Sequence, residues 1–240
     1  MSIMQRLGEK TILRGTLKSV LPFLLLLLLA ACSVLQPVHL PDLTALDAVD
    51  DHQAGQLLQR CRENFVTGNW QFVHSIAFKR ADGGGATVIG VTVLDGQKLH
   101  CALMTVEGLV LFEAELAQEK LTVSRALPPF DKPEFAGGLI RDVQAIFLPP
   151  AGGEPKTGRL VGGELVCRYH ADNGQITDLL IDDDGSRMNI YDLDLNRSRS
   201  IVAGSPISVA AERVPETLEL TASGLSAYTL TMTLISADKI

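Results

Sequence analysis

The stretch Gln71–Lys79 reads QFVHSIAFK, and its apolar residues recur at every second position. Phe72, Ile76 and Phe78 would share one face of an extended chain, and the residues between them would share the other. An α-helix would instead need apolar residues three and four positions apart. The stretch therefore predicts a β-strand.

The same alternation continues on the carboxyl side, in four segments that are joined by short polar turns. These segments are Thr87–Leu94, Lys98–Thr105, Leu109–Leu116 and Leu121–Leu127. Most of the connecting turns contain an Asp-Gly or Glu-Gly pair or a run of glycines, which are strong hairpin signals. Five strands connected in this way predict an antiparallel meander.

Two other segments have helical periodicity. Apolar residues recur at helical spacing over Asp51–Val66 and again over Glu134–Phe147. Pro133 and Pro149-Pro150 bracket the second segment as a unit. Its apolar stripe predicts a helix that covers the concave side of the sheet as a lid or plug.

After the second helix the period of two returns and predicts more strands. They are Leu160–Tyr169, Ile176–Ile181, Met188–Leu195, Leu218–Thr221 and Tyr228–Ile235, with Ser198–Val202 and Ile207–Arg213 as further strands or an edge. A sheet of about ten or eleven strands has to curl. The predicted fold class is mainly β with helices (α+β). It is a curved antiparallel sheet, or unclosed β-barrel, with two helices on its open side, over residues 52–240.

The amino-terminal residues predict export. Four basic residues precede Leu21–Leu29, an almost pure leucine run that is too short to span a bilayer comfortably but suits a signal-peptide core. The tetrapeptide Leu29-Ala30-Ala31-Cys32 follows and resembles the lipobox of bacterial lipoproteins. The resemblance implies that residues 1–31 are a lipoprotein signal peptide and that Cys32 is acylated. An ordinary secretory signal and an uncleaved membrane anchor are the alternatives.

Residues 32–51 predict a lipidated cysteine followed by a flexible tether, since Pro37 and Pro41 interrupt a segment without sustained helical period. By resemblance to the sorting rule of enteric bacteria, Ser33 favours a lipid-anchored location at the periplasmic face of the outer membrane. The leader holds four of the 21 basic residues and one of the 28 acidic residues, which leaves 17 basic and 27 acidic residues and a net charge of −10. Such a charge disfavours nucleic acid as a partner.

Three cysteines besides Cys32 are an odd number for an oxidising compartment. One disulfide with one free thiol would satisfy the count. We favour the other interpretation, in which Cys61, Cys101 and Cys167 are small buried apolar side chains without a bridge.

The sequence contains no constellation of a known catalytic type. The Gly-x-Ser-x-Gly pattern of hydrolases is absent. His74, His100 and His170 fall in predicted strands, where we expect isolated, half-exposed side chains rather than a metal or acid–base site. The run Asp182–Asp184 lacks the alternate spacing of a calcium loop and predicts a solvated turn. We therefore expect no enzyme activity, no metal site and no cofactor.

Two segments resemble LolB-like outer-membrane lipoproteins, and most of all one branch of that group. Gly108–Phe112 reads GLVLF, and Leu139–Pro149 reads LIRDVQAIFLP, with Leu127-Pro128-Pro129 between them. LolB accepts lipoproteins from a periplasmic carrier and holds their acyl chains in an apolar cavity inside an unclosed barrel. The resemblance implies a lipid-handling lipoprotein. It does not extend to membrane insertion, because the loop Ala81–Gly85 lacks the exposed leucine that LolB carries on a protruding loop.

Strands that are apolar on both faces need a cover on both sides, and an acyl chain could supply the second cover. The residues that we predict to face such a ligand are Met104, Leu109, Leu111 and Leu121, with Val143 and Ile146 opposing them from the helix. The predicted function is acyl-chain or lipid binding during envelope biogenesis or lipoprotein transfer. The predicted partners are the membrane, through the lipid anchor, an acyl-chain or lipoprotein ligand, and an envelope protein. The alternative is a structural or accessory subunit of an envelope complex with a filled core and no ligand cavity.

Overall fold

A computed structural model describes residues 37–46, 51–96, 98–224 and 227–240. The predicted signal peptide and Cys32 lie outside these residues, so both stay predictions. The two predicted helices are present in the described part of the chain, as α1 (Asp51–Glu63) and α2 (Pro133–Phe147). Proline at the first position of α2 is favourable because its missing N–H would have no partner there. Leu148 is extended, as the residue before a proline tends to be, and the helix ends.

Fifteen strands lie within the described residues, and every pairing between them is antiparallel. They are β1 (Leu43–Ala45), β2 (Trp70–Arg80), β3 (Gly85–Asp95), β4 (Lys98–Met104), β5 (Val110–Ala117), β6 (Lys120–Ala126), β7 (Lys156–Leu160), β8 (Leu165–His170), β9 (Ile176–Ile181), β10 (Ser186–Tyr191), β11 (Arg197–Ala203), β12 (Pro206–Val209), β13 (Glu212–Pro215), β14 (Thr217–Ala222) and β15 (Tyr228–Lys239).

Thirteen of these strands form one sheet in the order β1-β7-β8-β9-β10-β11-β14-β15-β2-β3-β4-β5-β6, and β12 and β13 form a separate hairpin. The sheet is large, curved and unclosed, which confirms the predicted fold class. The strand number is larger than the ten or eleven that we predicted. The strands β1, β7, β12 and β13 have three to five residues each, too few for a clear alternation of apolar and polar positions.

The turns of the sheet lie on two rims, which we call rim A and rim B. Rim A carries the turns β2–β3, β4–β5, β8–β9, β10–β11 and β14–β15. Rim B carries the turns β3–β4, β5–β6, β7–β8 and β9–β10, and the β12–β13 hairpin inserted between β11 and β14. The two helices pack against the same face of the sheet, which we call the inner face.

The inner face holds the apolar core, and cross-strand rows of buried side chains build it. In one such row Trp70 pairs with Leu94, Leu94 with Leu99, and Leu99 with Leu116. Leu121 of the edge strand β6 continues this row by pairing with Leu116. The same rows place alternate residues of β2 to β5 on the opposite, outer face.

A disulfide joins Cys61 of α1 to Cys167 of β8, with a Cα–Cα distance of 6.6 Å and both residues fully buried. Cys101 is a buried free thiol. Our preference for three unbridged cysteines was therefore wrong, and the alternative of one disulfide and one free thiol is what the structure has. The pairing spans 106 residues, so it depends on the packing of α1 against β8 rather than on local spacing.

The amino-terminal segment is held against the sheet. His39 forms a β-bridge with Asn196, and β1 pairs with β7 at the sheet edge. Arg168 donates to both carboxylate oxygens of Asp178, at 2.6 and 2.7 Å, and to the carbonyl oxygen of Pro41 at 2.9 Å. The prediction of a flexible tether over residues 32–51 is thus wrong for residues 39–45, which are hydrogen-bonded to the domain.

Candidate functional site

The candidate site is the space between α2 and the inner face of the sheet. Helix α2 buries Ala136, Ile140 and Phe147, while Arg141 on its other side is exposed. The apolar stripe of the helix therefore packs on the sheet, as its periodicity predicts. Three cavities lie in a row along this helix, and we call them the mouth groove, the central cavity and the base cavity.

The mouth groove has a volume of about 640 Å³ and opens at rim A, where Ala81 and Ala227 of two rim turns line it. This volume falls within the range of about 300–1,000 Å³ that is typical of small-molecule sites. The groove has an apolar floor and a charged margin. The floor consists of Phe78, Phe135, Leu139 and Leu230, and the margin includes Arg80, Asp82, Lys132 and Glu134. Such a lining suits an amphiphile better than a uniformly polar ligand.

The central cavity of about 50 Å³ and the base cavity of about 120 Å³ follow along α2, and the exposed residues Arg60, Glu63 and Arg213 line the base cavity. Leu139, Asp142 and Leu230 line both the mouth groove and the central cavity. His74, Ile146 and Phe147 line both the central and the base cavity. The three cavities are therefore neighbours, and these shared side chains form part of the walls between them. Movement of those side chains would join them into one passage beneath α2.

A buried polar cluster fixes α2 across this passage. Asp142 is 4% exposed, accepts a hydrogen bond from Arg199 Nε of β11 at 2.5 Å, and accepts another from the Tyr228 hydroxyl of β15. Burial, the nearby Asp142 charge and the hydrogen bond to it raise the pKa of Tyr228. Burial of Arg199 opposes its charge, but the charge and hydrogen bonding of Asp142 outweigh this effect, so the pKa of Arg199 is raised. Both donors thus stay protonated.

His74 forms part of the wall between the central and base cavities. It is 2% exposed and packs against Phe72 and Phe147, with ring centroids 6.3 and 5.7 Å away. Burial lowers the pKa of His74 to about 4, so the imidazole is neutral at pH 7. Our expectation of a half-exposed His74 was therefore wrong. The other two histidines differ, since His100 is partly exposed near Glu115 and His170 is exposed.

The structure brings only part of the predicted ligand-facing set together. Val143 and Ile146 line the central cavity, as expected for the helix side. Leu121 lies on the inner face but lines none of the three cavities. Whether any of these residues binds a ligand stays a prediction.

The prediction that Met104, Leu109 and Leu111 oppose the helix was wrong. Met104 pairs with Ile89, one position away from the pair Leu103–Gly90 that faces the central cavity, so Met104 lies on the outer face. Leu109 is 53% exposed in the β4–β5 turn. Leu111 lies at a register shift of β5 and lines none of the three cavities. Both faces of these strands are apolar, so alternation could not decide which face meets the helix.

Periodicity did not single out the residues that matter most to the geometry of the passage. The Asp142 carboxylate was part of the quoted helix pattern, and a charged residue within an apolar stripe is a signal that a buried partner exists. The floor residues Phe78 and Leu230 pair directly across β2 and β15. Those strands are more than 140 residues apart in sequence, so no local pattern could have joined them.

The described residues contain no group of three or more potential metal ligands. The free thiol of Cys101 is buried, and burial raises its pKa to about 12, so it is a poor nucleophile. Among the described residues, neither α1 nor α2 meets the length and apolarity needed to cross a membrane. The absence of enzyme activity stays a prediction.

Comparisons with known proteins identify the fold. No family model matches the chain, and no curated protein matches it. A LolA superfamily protein from Nitrosomonas europaea has a similar structure, with a TM-score of 0.55 and 9% identity, over 78% of this chain and 93% of that one. A DUF1329 family protein from Desulfovibrio piger has a TM-score of 0.48 and 9% identity, over 78% and 92% of the two chains. A domain described as that of an outer membrane lipoprotein-sorting protein, from Vibrio parahaemolyticus, has a TM-score of 0.43 and 7% identity, over the same shares. The first of these similarities shows that the chain has a LolA-like half-barrel fold.

Proposed function

We propose that this protein is a LolB-like, lipid-anchored outer-membrane protein that binds an acyl chain between its half-barrel sheet and α2. The observation that carries the proposal is the row of three cavities beneath an amphipathic helix, with the mouth groove of about 640 Å³ at the rim A end. Aliphatic and aromatic walls suit an acyl chain because dispersion and exclusion of water need no directional partner. The protein is non-enzymatic in this proposal, and its envelope location follows from the acylation of Cys32.

The mechanism that we propose has three parts. The acyl chain enters the mouth groove at rim A with its carbon chain on the apolar floor. Displacement of Leu139 and Ile146 with α2 then joins the mouth groove to the central and base cavities. Return of Asp142 to Arg199 and Tyr228 closes the helix over the bound chain. Each buried methylene contributes about 0.8 kcal/mol of binding free energy. An acyl chain that fills the passage would therefore bind much more tightly than one that enters only the mouth groove.

Two adjacent glycines of α2 allow a test with a matched control. Gly138 lines the mouth groove, and a Cβ built on it would meet only Arg141 Nη2, at 3.9 Å. Gly137 does not line the groove, and a Cβ there would meet Arg141 Nη1 at 3.5 Å. Replacing either glycine also removes the helix-destabilising effect of glycine. Gly138→Phe would therefore fill the groove without breaking the helix, whereas Gly137→Phe would not fill it.

The experiment measures the binding of a fluorescent fatty acid to the wild-type domain and to both variants. We expect Gly138→Phe to weaken binding at least about tenfold, since the ring occupies groove volume that the ligand needs. Gly137→Phe should bind as the wild type does. Unchanged binding in Gly138→Phe would exclude the mouth groove as the site. If the wild-type domain binds no acyl probe, the accessory-subunit alternative replaces this proposal.

A further inference from the structure

We propose that rim A faces the membrane and that Leu193 and Leu195 of the β10–β11 turn contact the bilayer surface. This inference rests on the proposed acylation of Cys32. It concerns a surface outside the passage described above, and the partner to which it commits is a zwitterionic lipid bilayer. The two leucines are exposed, their turn is attached to the amino-terminal segment, and only a short length of chain separates that segment from Cys32.

The β10–β11 turn exposes apolar side chains that the core does not use. Leu193 is 74% exposed and Leu195 is 43% exposed. Leu195 has a φ of +59°, in the left-handed region that residues other than glycine enter rarely. The Asp192 carboxylate accepts hydrogen bonds from the amides of Asp194 and Asn196, and the Leu195 amide donates to the Asp192 carbonyl. The turn is therefore held in a conformation that keeps both leucines at the surface.

The same turn is attached to the segment that leads towards the predicted anchor. His39 forms its β-bridge with Asn196, and the Leu40 amide donates to the Leu195 carbonyl at 2.8 Å. Cys32 precedes His39 by seven residues, which span at most about 25 Å when fully extended. A lipid on Cys32 would therefore hold this turn close to the bilayer. Ile240, by contrast, is 63% exposed at the carboxyl end of β15 and is hydrogen-bonded to Asn69 rather than to this segment.

Rim A also carries the entrance of the passage. The mouth groove opens at Ala81 and Ala227, which belong to turns of rim A. In the proposed orientation an acyl chain would move from the bilayer to the groove along one rim. Asp192 and Asp194 lie in the leucine-bearing turn and would be repelled by anionic headgroups. The surface therefore suits phosphatidylethanolamine or phosphatidylcholine rather than an anionic lipid.

Tryptophan quenching can test this orientation on the full chain purified from membranes with its anchor. Leu193→Trp places a reporter on the turn. Ile207→Trp is the matched control, because Ile207 is 42% exposed on the β12–β13 hairpin at rim B. The native Trp70 is fully buried in the core and gives the same background in both variants. The proteins are reconstituted in phosphatidylethanolamine–phosphatidylcholine vesicles with and without brominated acyl chains.

We expect bromine to quench Leu193→Trp at least about twofold more than Ile207→Trp, since side chains that enter the interface reach the level of the acyl chains. Equal quenching of the two variants would overturn the inference. The intact mass of each protein shows whether Cys32 is acylated, and fatty-acid binding by the domain in solution tests the passage. A protein that is acylated and binds fatty acid but is not quenched at position 193 would thus refute only the orientation. A protein without the acyl mass that is not quenched would refute both the anchor and the orientation.

Discussion

His74 places an ionisable side chain in the apolar layer between β2 and α2. Burial lowers the pKa of His74 from 6.5 to about 4, because the charged imidazolium would lose its hydration there. The unfolded chain binds a proton on this residue below pH 6.5, while the folded chain does not until about pH 4. The contribution of neutral His74 to the unfolding free energy is therefore complete above pH 6.5 and is lost as the pH falls to about 4.

We expect wild-type protein to lose about 3 kcal/mol of unfolding free energy through His74 between pH 7 and pH 4. His74→Leu should lose less over the same range, because leucine has no proton to bind. Urea denaturation at pH 7, 5.5 and 4 measures the difference between the two proteins. His170→Leu, at an exposed position, is the control and should follow the wild type. Identical pH dependence in His74→Leu and the wild type would contradict the assignment.

At the scale of elements, α2 is attached to the sheet by both apolar and polar contacts. Ile140 and Phe147 provide the apolar contact. Asp142 connects the helix to β11 and β15, the two strands that flank β14 in the sheet. Removal of one member of a buried ion pair is costly because the other charge remains without a partner. We therefore expect the cluster to strengthen the attachment of α2 to the sheet.

Asp142→Ala should reduce the unfolding free energy by about 3 kcal/mol, since Arg199 is then left as an unpaired and mostly buried charge. We also expect faster amide exchange in residues 133–147, which hydrogen–deuterium exchange mass spectrometry measures. Adding Arg199→Leu to Asp142→Ala should recover part of the loss. Arg141→Ala changes the exposed neighbour on the same helix and should stay within about 0.5 kcal/mol of the wild type. An equal effect of the two alanine substitutions would argue against the cluster as the attachment of α2.

The other helix is held by a covalent bond rather than by a buried charge. The Cys61–Cys167 disulfide closes a segment of 106 residues. In the chain-entropy model a loop of this length contributes about 4–5 kcal/mol by restricting the unfolded chain. Arg60 and Arg62 add exposed ion pairs to Asp183 and Glu154, which contribute little. Helix α1 is thus held covalently on the sheet, whereas α2 is held by apolar contacts and hydrogen bonds that can break and form again.

At the scale of the whole molecule, the central prediction is the lipid anchor. Cys32→Ala removes the only thiol at the end of the leucine-rich leader, so the chain should stay unprocessed or become soluble. Radioactive palmitate labelling and membrane fractionation of the wild type and the variant measure this. Cys101→Ala is the control, because its thiol is buried in the domain, and it should be labelled and fractionate as the wild type does. A Cys32→Ala protein that still labels with palmitate in the membrane fraction would end the lipoprotein interpretation.

Local sequence patterns were enough to predict most of the secondary structure of this protein. Alternation over Gln71–Lys79 and its neighbours determined the strands, and Pro133 and Pro149 determined the limits of α2. These properties depend on residues a few positions apart, whose backbone preferences and side-chain directions follow from local geometry. The half-barrel class followed because many consecutive antiparallel strands with two amphipathic helices have few ways to bury their apolar faces.

The geometry of the site, in contrast, depends on the packing of distant parts of the chain. Leu103 rather than Met104 faces α2. The sequence could not predict this, because both faces of β4 are apolar and a shift of one residue exchanges them. Asp142 is hydrogen-bonded to side chains 57 and 86 residues away, and Cys61 is bonded to a cysteine 106 residues away. Such contacts form only when the whole chain packs, because an unpaired charge costs free energy only once it is buried.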